Sequence, residues 1–484
     1  MASPLDRAQA PAVGPPPAVA LPAISRERLS NGLGLVLLPY HRAPVVELEV
    51  VVGAGSAHDP PGAAGLAHLT AHLLAEGAAQ LGMLEIAERL AALGARLTVG
   101  CSYDAAHLRL TVLRSNVEAG LALLADLLRR PTFPGAEIER LLAEREVGLR
   151  QDQDNPAVVA NNTFAAELFG PTHPYGAPEA GALESVHGLT RDAFLGFFRR
   201  AYHPDSATLL AVGDFPPDAL RAAAAEAFGD WQPGAMPPAD VSPPAVPGRG
   251  VVLVDRTESA QSELRVGHVG IERAHPDAFA LTAANYVLGG AFTSRLNQSL
   301  RERRGWSYGA RSTFAQRCGP GPFVVTAAVN TPETCAAVRE IHHELDRMAR
   351  GAITDAELSL AINGLTRSLP RQFETPAQIA DRLRELVVCG LPNDYYATYQ
   401  ERFRALRRTD VERAAQTHIR PAMLLTAVVG DAIKIADELA DLGPIAHRSW
   451  RHGDARLDPT PGASYPSRHD ARMAAAVPAM GPAR

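Results

Sequence analysis

Residues 65–77 read GLAHLTAHLLAEG, and this stretch decides how the rest of the chain is understood. Leu66, Leu69 and Leu73 recur at helical spacing and Gly77 suits the position just past a helix end, so one short helix is predicted. His68 and His72 stand four apart on one face of it, a spacing that can bring two imidazoles to one zinc ion. Hydrolytic zinc also needs a third protein ligand and a carboxylate that takes the proton from the bound water. In the inverted motif His-x-x-Glu-His, that carboxylate directly precedes the second histidine. Here the residue is Ala71. A methyl group accepts no proton, so the stretch is either unrelated to zinc or the remains of a zinc site. Glu76 gives no rescue, because ligands at i, i+4 and i+8 of a straight helix span about 12 Å.

Working outward, β-rich runs at 34–38 and Val45–Val52 precede the histidine helix, separated from it by a Gly/Pro loop at 53–62. After it come an amphipathic run at 83–93, strand-like Arg96–Cys101 and 107–113, and helices at Val117–Arg129, 137–151 and 158–169. The loop HPYG (173–176), a helix from Arg191 and a strand at 207–212 ending in Gly213-Asp214 complete this half. Residues 232–250 hold six prolines without periodic pattern and read as a linker.

Beyond the linker the grammar repeats. LTAANYVLGG at 281–290 echoes LTAHLLAEG at 69–77, and 409–431, ending in VGD, echoes 190–214. The chain is an internal duplication. Strands do not alternate strictly with single helices, so the predicted class is α+β, two homologous halves, each a largely antiparallel sheet packed with helices. The expected organisation is a flexible arm at 1–24, halves at 25–231 and 251–445, the linker 232–250 and a disordered tail at 446–484. The echo puts Ala284 where the first half has His72, and His68 likewise has no histidine counterpart.

Bulk properties narrow the function. A net charge of −6 and a pI near 6.3 give no reason to expect nucleic acid or an anionic membrane. No apolar run reaches the length of a membrane span, and the Pro/Ala-rich N-terminus lacks the pattern of a signal peptide, which leaves the compartment open. Cys101, Cys318, Cys335 and Cys389 are far apart in sequence and form no CxxC pair, so neither a disulfide framework nor a cysteine zinc site is expected. His342-His343 have no ligand spacing with a nearby acid and read as surface residues. Asp214 and Asp431, each closing a strand, read as turn or cap residues.

From about 29 to 431 the chain resembles the pitrilysin/insulinase family of zinc metallopeptidases, which includes the mitochondrial processing peptidases and the bc1 core proteins. The resemblance rests on NGLGLVLL, the GLAH…H helix, HPYG, the two VGD strand ends and, most specifically, SRLNQSLRERRGWSYGARSTF at 294–314. It implies a third zinc ligand on a helix just before an Asp-x-Pro turn. Asp154-Asn155-Pro156 marks that turn, the ligand position falls at Gly148, and a supporting acid falls at Leu141. Glu144, one turn before Gly148, would reach in only from a distorted helix. The resemblance further implies that Arg301 and Tyr308 engage substrate, since small members often pair a zinc-bearing subunit with one that carries this arginine and tyrosine.

The expected function is therefore a non-catalytic, peptide-binding subunit. Its partners would be a homologous subunit with a complete zinc motif and a peptide or unfolded polypeptide, with no nucleic acid and no membrane insertion. No cofactor is expected in this chain, with zinc in the partner, and His68 and His72 stand as vestigial ligands or as plain half-buried histidines. The alternatives are a structural scaffold like the bc1 core proteins and an autonomous metallopeptidase with an unusual site.

Overall fold

A computed structural model describes residues 14, 23–244 and 250–450. Most of the arm (1–24), the linker residues 245–249 and the tail from 451 lie outside the described residues. The first half contributes β1 (Ser25–Arg28), β2 (Gly34–Pro39), β3 (Val45–Val52), a small ribbon of β4 (Gly77–Ala78) and β5 (Leu81–Gly82), β6 (Arg96–Cys101), β7 (Ala106–Leu113) and β8 (Ala207–Gly213). The second contributes β9 (Gly250–Asp255), β10 (Gln261–Val269), β11 (Ser307–Phe314), β12 (Pro322–Asn330), β13 (Leu425–Gly430) and β14 (Ile445–Ser449).

Two six-stranded sheets result, ordered β1-β2-β8-β3-β7-β6 and β11-β12-β10-β13-β9-β14. Read from the inner strands, β2-β8-β3-β7-β6 and β9-β13-β10-β12-β11 are the same path, which bears out the duplication. Both sheets are antiparallel except for β2 with β8 and the run β13-β9-β14. The α+β, largely antiparallel class is what the structure has. The strand β14 corrects one expectation: residues 446–449, assigned to a disordered tail, form the edge of the second sheet beside β9. Similarly, 232–244 has no regular structure but is held, with the amide of Gly234 donating to Asp205 and His173 Nε2 meeting the Ser242 carbonyl.

The valine-rich run VVELEVVV becomes β3 because both faces of the sheet are covered. Val46, Leu48, Val50 and Val52 face the first half's own helices. The opposite face, with Val36, Leu38, Val51, Leu210 and Val212, is covered by the helix Pro376–Val388 of the second half, through Ile379, Leu383 and Leu386. The exchange is reciprocal. The first half's helix Pro156–Phe169 lays Phe164, Leu168 and Phe169 on Val252, Val269, Leu425 and Ala427 of the second sheet. Each half lends the other a helix, and no boundary near 231–251 divides the packing.

Charge also crosses the joint. Glu49 on β3 is 0% exposed and accepts from Arg109 of β7 at 2.7 Å, while Arg109 also reaches Asp381 of the lent helix at 2.7 Å. Arg384 of the same helix closes the network on Glu49. Removing one guanidinium leaves a buried carboxylate short of compensation, a defect that costs about 3–5 kcal/mol.

Candidate functional site

The histidine helix runs Leu66–Leu73, ending before Gly77, which lies in β4. Gly65 has φ +94 and offers no side-chain cap, so Asp59 caps the helix instead, accepting the amides of Gly65 and Ala67 at 2.8 and 2.7 Å. His68 and His72 are half-buried with ring centroids 4.7 Å apart, so the spacing brings them together as expected. Burial, then His72 and Arg145, pushes His68 down to about 4, and burial lowers His72. Both imidazoles are therefore neutral at pH 7, and His68 Nδ1 is buried without a hydrogen-bond partner among the described residues.

What surrounds them does not fit zinc. Ala71 is fully buried in the first core, so no carboxylate is at the base position. Gly148 stands on the helix Gly135–Asp154, and a Cβ there would meet only the Nη1 of Arg145, at 3.5 Å. The ligand position is thus open to a side chain but lies beside a guanidinium whose charge already disfavours protonated His68. Leu141 packs on the apolar core. Glu76, beyond the helix end, accepts from Arg140 at 2.6 Å, and Glu144 accepts from the same arginine at 2.9 Å. Both acids are paired with Arg140 rather than with either histidine. A third imidazole, His107 on β7, also belongs to this neighbourhood: burial, Arg384 and Arg109 push it down to about 4, with His72 adding to the effect. Sequence reading missed it. Its only signal is Gly100 opposite it on β6, where a Cβ would lie 2.3 Å from the His107 ring.

Among the described residues one trio has metal-like proximity, His275, Asp277 and His418. Most of its donors are engaged otherwise, although His418 Nδ1 is buried without a hydrogen-bond partner among the described residues. Asp277 accepts from Arg413 at 2.5 Å and meets His418 at 2.8 Å, and the Asp277 amide donates to His275 Nδ1 at 3.0 Å. Arg413 and then His418 hold the Asp277 carboxyl far below its usual range, against the opposing effect of burial. This is a charge-compensated structural cluster. His342, expected at the surface, is buried against β13 with Nε2 3.3 Å from Thr426 Oγ1, whereas His343 is exposed. Asp431 starts the helix Ala432–Leu439 and accepts the Glu258 amide, and Asp214 pairs with His41 and Arg114.

Arg301 and Tyr308 are built differently. The short helix Arg295–Asn297 widens through Gln298–Arg303 and closes at Gly305, whose φ of +65 lets the amides of Gly305 and Trp306 cap Arg301 and Leu300. Arg295 anchors the turn to Glu357 at 2.6 Å, and Asn297 Oδ1 accepts the Ala310 amide at 2.9 Å, fixing the following strand to it. That strand, β11, is a sheet edge, and its register to β12 slips between Ser307 and Ala310. Tyr308 sits in this bulge, which turns it outward, and it is 91% exposed. Arg301 stacks its guanidinium 4.5 Å over Phe292, itself 66% exposed. Arg301 and Tyr308 line one cleft of about 520 Å³ with Phe292, Asn297 and Arg311, and the cleft includes neither His68 nor His72. Guanidinium N–H groups and a phenolic O–H facing a cleft beside an open strand edge can hold an extended peptide's carbonyl groups.

This fold, two duplicated halves with a zinc-type helix in the first and an Arg/Tyr turn in the second, defines the class of insulinase-like peptidases. Residues 35–170 match the family described as insulinase (peptidase family M16), and residues 188–365 match the peptidase M16 inactive domain. An uncharacterized zinc protease of Mycobacterium tuberculosis is 32% identical over 76% of this chain and 84% of its own length. A peptidase M16 inactive domain from Pseudomonas fluorescens superposes with a TM-score of 0.80 at 26% identity, covering 84% of this chain and 97% of that one. A protease from Helicobacter pylori shares the fold, with a TM-score of 0.79 at 22% identity over 84% of this chain and all (100%) of that one. The chain belongs to the M16 peptidase family.

Proposed function

We propose that this chain is a peptide-binding subunit without hydrolytic chemistry of its own, which pairs with a homologue carrying a complete His-x-x-Glu-His helix. In that pair, Arg301 and Tyr308 grip a substrate carbonyl and stabilise negative charge as it develops on the oxygen, while the partner supplies metal and base. The observation that carries the reading is the contrast on one chain: a half-buried arginine and an exposed tyrosine lining one open cleft, and a histidine helix whose base position is a buried methyl group. Donors of this kind act by electrostatics, so they need no proton transfer and can serve a centre held by another subunit.

The test is reconstitution. The chain is mixed with an M16 homologue bearing the intact motif, and complex formation is read by sizing while turnover is read on a peptide library. Activity that needs both chains supports the proposal. A complex that turns over peptide equally well with Arg301→Ala and Tyr308→Phe leaves only a scaffold role, and turnover by this chain alone rejects both.

A further inference from the structure

Around Cys318 the second half reaches into the first. The loop between β11 and β12 places the Arg317 guanidinium 3.8 Å over the Tyr103 ring and 4.5 Å over Tyr175. The Cys318 amide donates to Asp104 at 3.0 Å, and the Gly319 amide donates to the Tyr175 hydroxyl at 3.1 Å. The Cys318 thiol donates to the carbonyl of Val388 at 3.0 Å. Val388 ends the lent helix Pro376–Val388, and Cys389 is its C-cap. In a trans peptide the carbonyl oxygen lies within about 3 Å of the next Cα, so the Cys318 sulfur is about 6 Å or less from the Cys389 Cα.

Both cysteines line one cleft of about 750 Å³ between the halves, Cys318 exposed and Cys389 half-buried. The Cys389 thiol is the largest influence on that of Cys318, which it pushes up, followed by burial and Asp104. Of the other two, Cys335 is buried in the second core, and Cys101 lines the same cleft but directs its thiol to the Ser102 carbonyl. A pair 71 positions apart, brought together in the joint, is invisible to a search for CxxC spacing.

We propose that Cys318 and Cys389 are a disulfide-forming pair that links two elements of the second half where both pack against the first. The oxidant is a small-molecule disulfide. One protein thiolate attacks it, forming a mixed disulfide and expelling one reagent thiolate. The second protein thiolate then attacks the protein sulfur of that bond and expels the other. Two cysteines are oxidised, one reagent disulfide is reduced, and the two protons end on the two reagent thiols. The new bond ties the Arg317 loop to the lent helix, the two second-half elements that grip the first half. Nothing in this depends on a peptidase partner.

The full-length chain is incubated with oxidised glutathione, alkylated under denaturing conditions and peptide-mapped without reduction. The expected result is one linked peptide joining Cys318 to Cys389, with Cys101 and Cys335 alkylated, and a melting temperature higher by several degrees that returns on reduction. Cys389→Ser should abolish both the linked peptide and the shift. Four alkylated cysteines, or glutathione adducts on Cys318 or Cys389 without the link, overturn the proposal in the wild-type chain, whether or not the variant folds.

Discussion

The histidine helix of the first half and its echo in the second occupy the same place on equivalent sheets, yet they differ in kind. Leu66–Leu73 carries two neutral, half-buried imidazoles, with Asp59 committed to capping the helix and Glu76 to Arg140. Its echo, Ala278–Asn285, has Ala280 and Ala284, both buried as core. The exposed polar groups of the second half lie further on, with Tyr308 in the bulge of the edge strand. The difference teaches that a duplicated fold keeps its packing where cores demand it, while polar function moves to positions that packing leaves free. His68 and His72 are what a packing constraint alone would not select. Arg301 and Tyr308 are what it would not retain.

The comparison breaks most visibly at the donor cleft. Arg301→Ala should lower turnover of the reconstituted pair by about a hundredfold to a thousandfold, and Tyr308→Phe by about tenfold to a hundredfold. Neither should shift the melting temperature, because Arg301 contacts only Phe292 and Glu302 in the interactions seen and Tyr308 is almost fully solvated. A fall in stability matching the fall in rate would reduce both to structural residues.

Acid should sharpen the contrast. Folded His68 and His107 titrate at about 4, against about 6.5 for a free imidazole. Between these values the unfolded chain binds protons that the folded chain refuses, so stability is fully present above about pH 6.5 and is lost as pH falls toward 4. Asp59, whose carboxyl burial pushes up to about 7, acts in the opposite sense over this range, so the histidine contribution is the difference. From pH 7.5 to 4.5 the denaturant midpoint should fall further in the wild type than in His68→Gln or His107→Gln. Slopes unchanged by either substitution would mean that these rings are not held neutral.

The smallest expected effect is on metal. Zinc in the wild-type chain should be far below one equivalent by elemental analysis. Ala71→Glu should not raise it, and by putting a carboxylate into the core it should lower stability. The combination Ala71→Glu, Gly148→Glu, Arg145→Ala should give measurable, weak zinc binding, because it supplies both acids and removes the opposing charge. Stoichiometric zinc in the wild type, lost in His68→Ala, would end the comparison as drawn.

Much of this was legible in the sequence. The run Val45–Val52 is the observed strand, since β-branched residues buried on both faces leave no helical alternative, and the paired VGD ends mark β8 and β13. The facing of His68 and His72 followed from helical spacing alone. What escaped depends on distant chain. Glu49 looks like a surface charge until Arg109 and Arg384 meet it. His342 reads as solvated until β13 passes over it. Arg145 stands one turn from Gly148 on the same helix, but its influence on His68 depends on how that helix packs against the first. The bulge that exposes Tyr308 is a matter of register between β11 and β12, which no single strand encodes.

The exchanged helices have a consequence for how the protein is made. When ribosomes have released the first sheet, its outer face, with Val36, Leu38, Leu210 and Val212, still lacks its cover. That cover is not synthesised until residue 388, after most of the second sheet. The nascent first half must therefore wait with an oily surface bare, in need of a chaperone's shelter, and the polypeptide matures late and all at once. A gene split between the halves would yield two fragments that are sticky apart and soluble only when co-expressed.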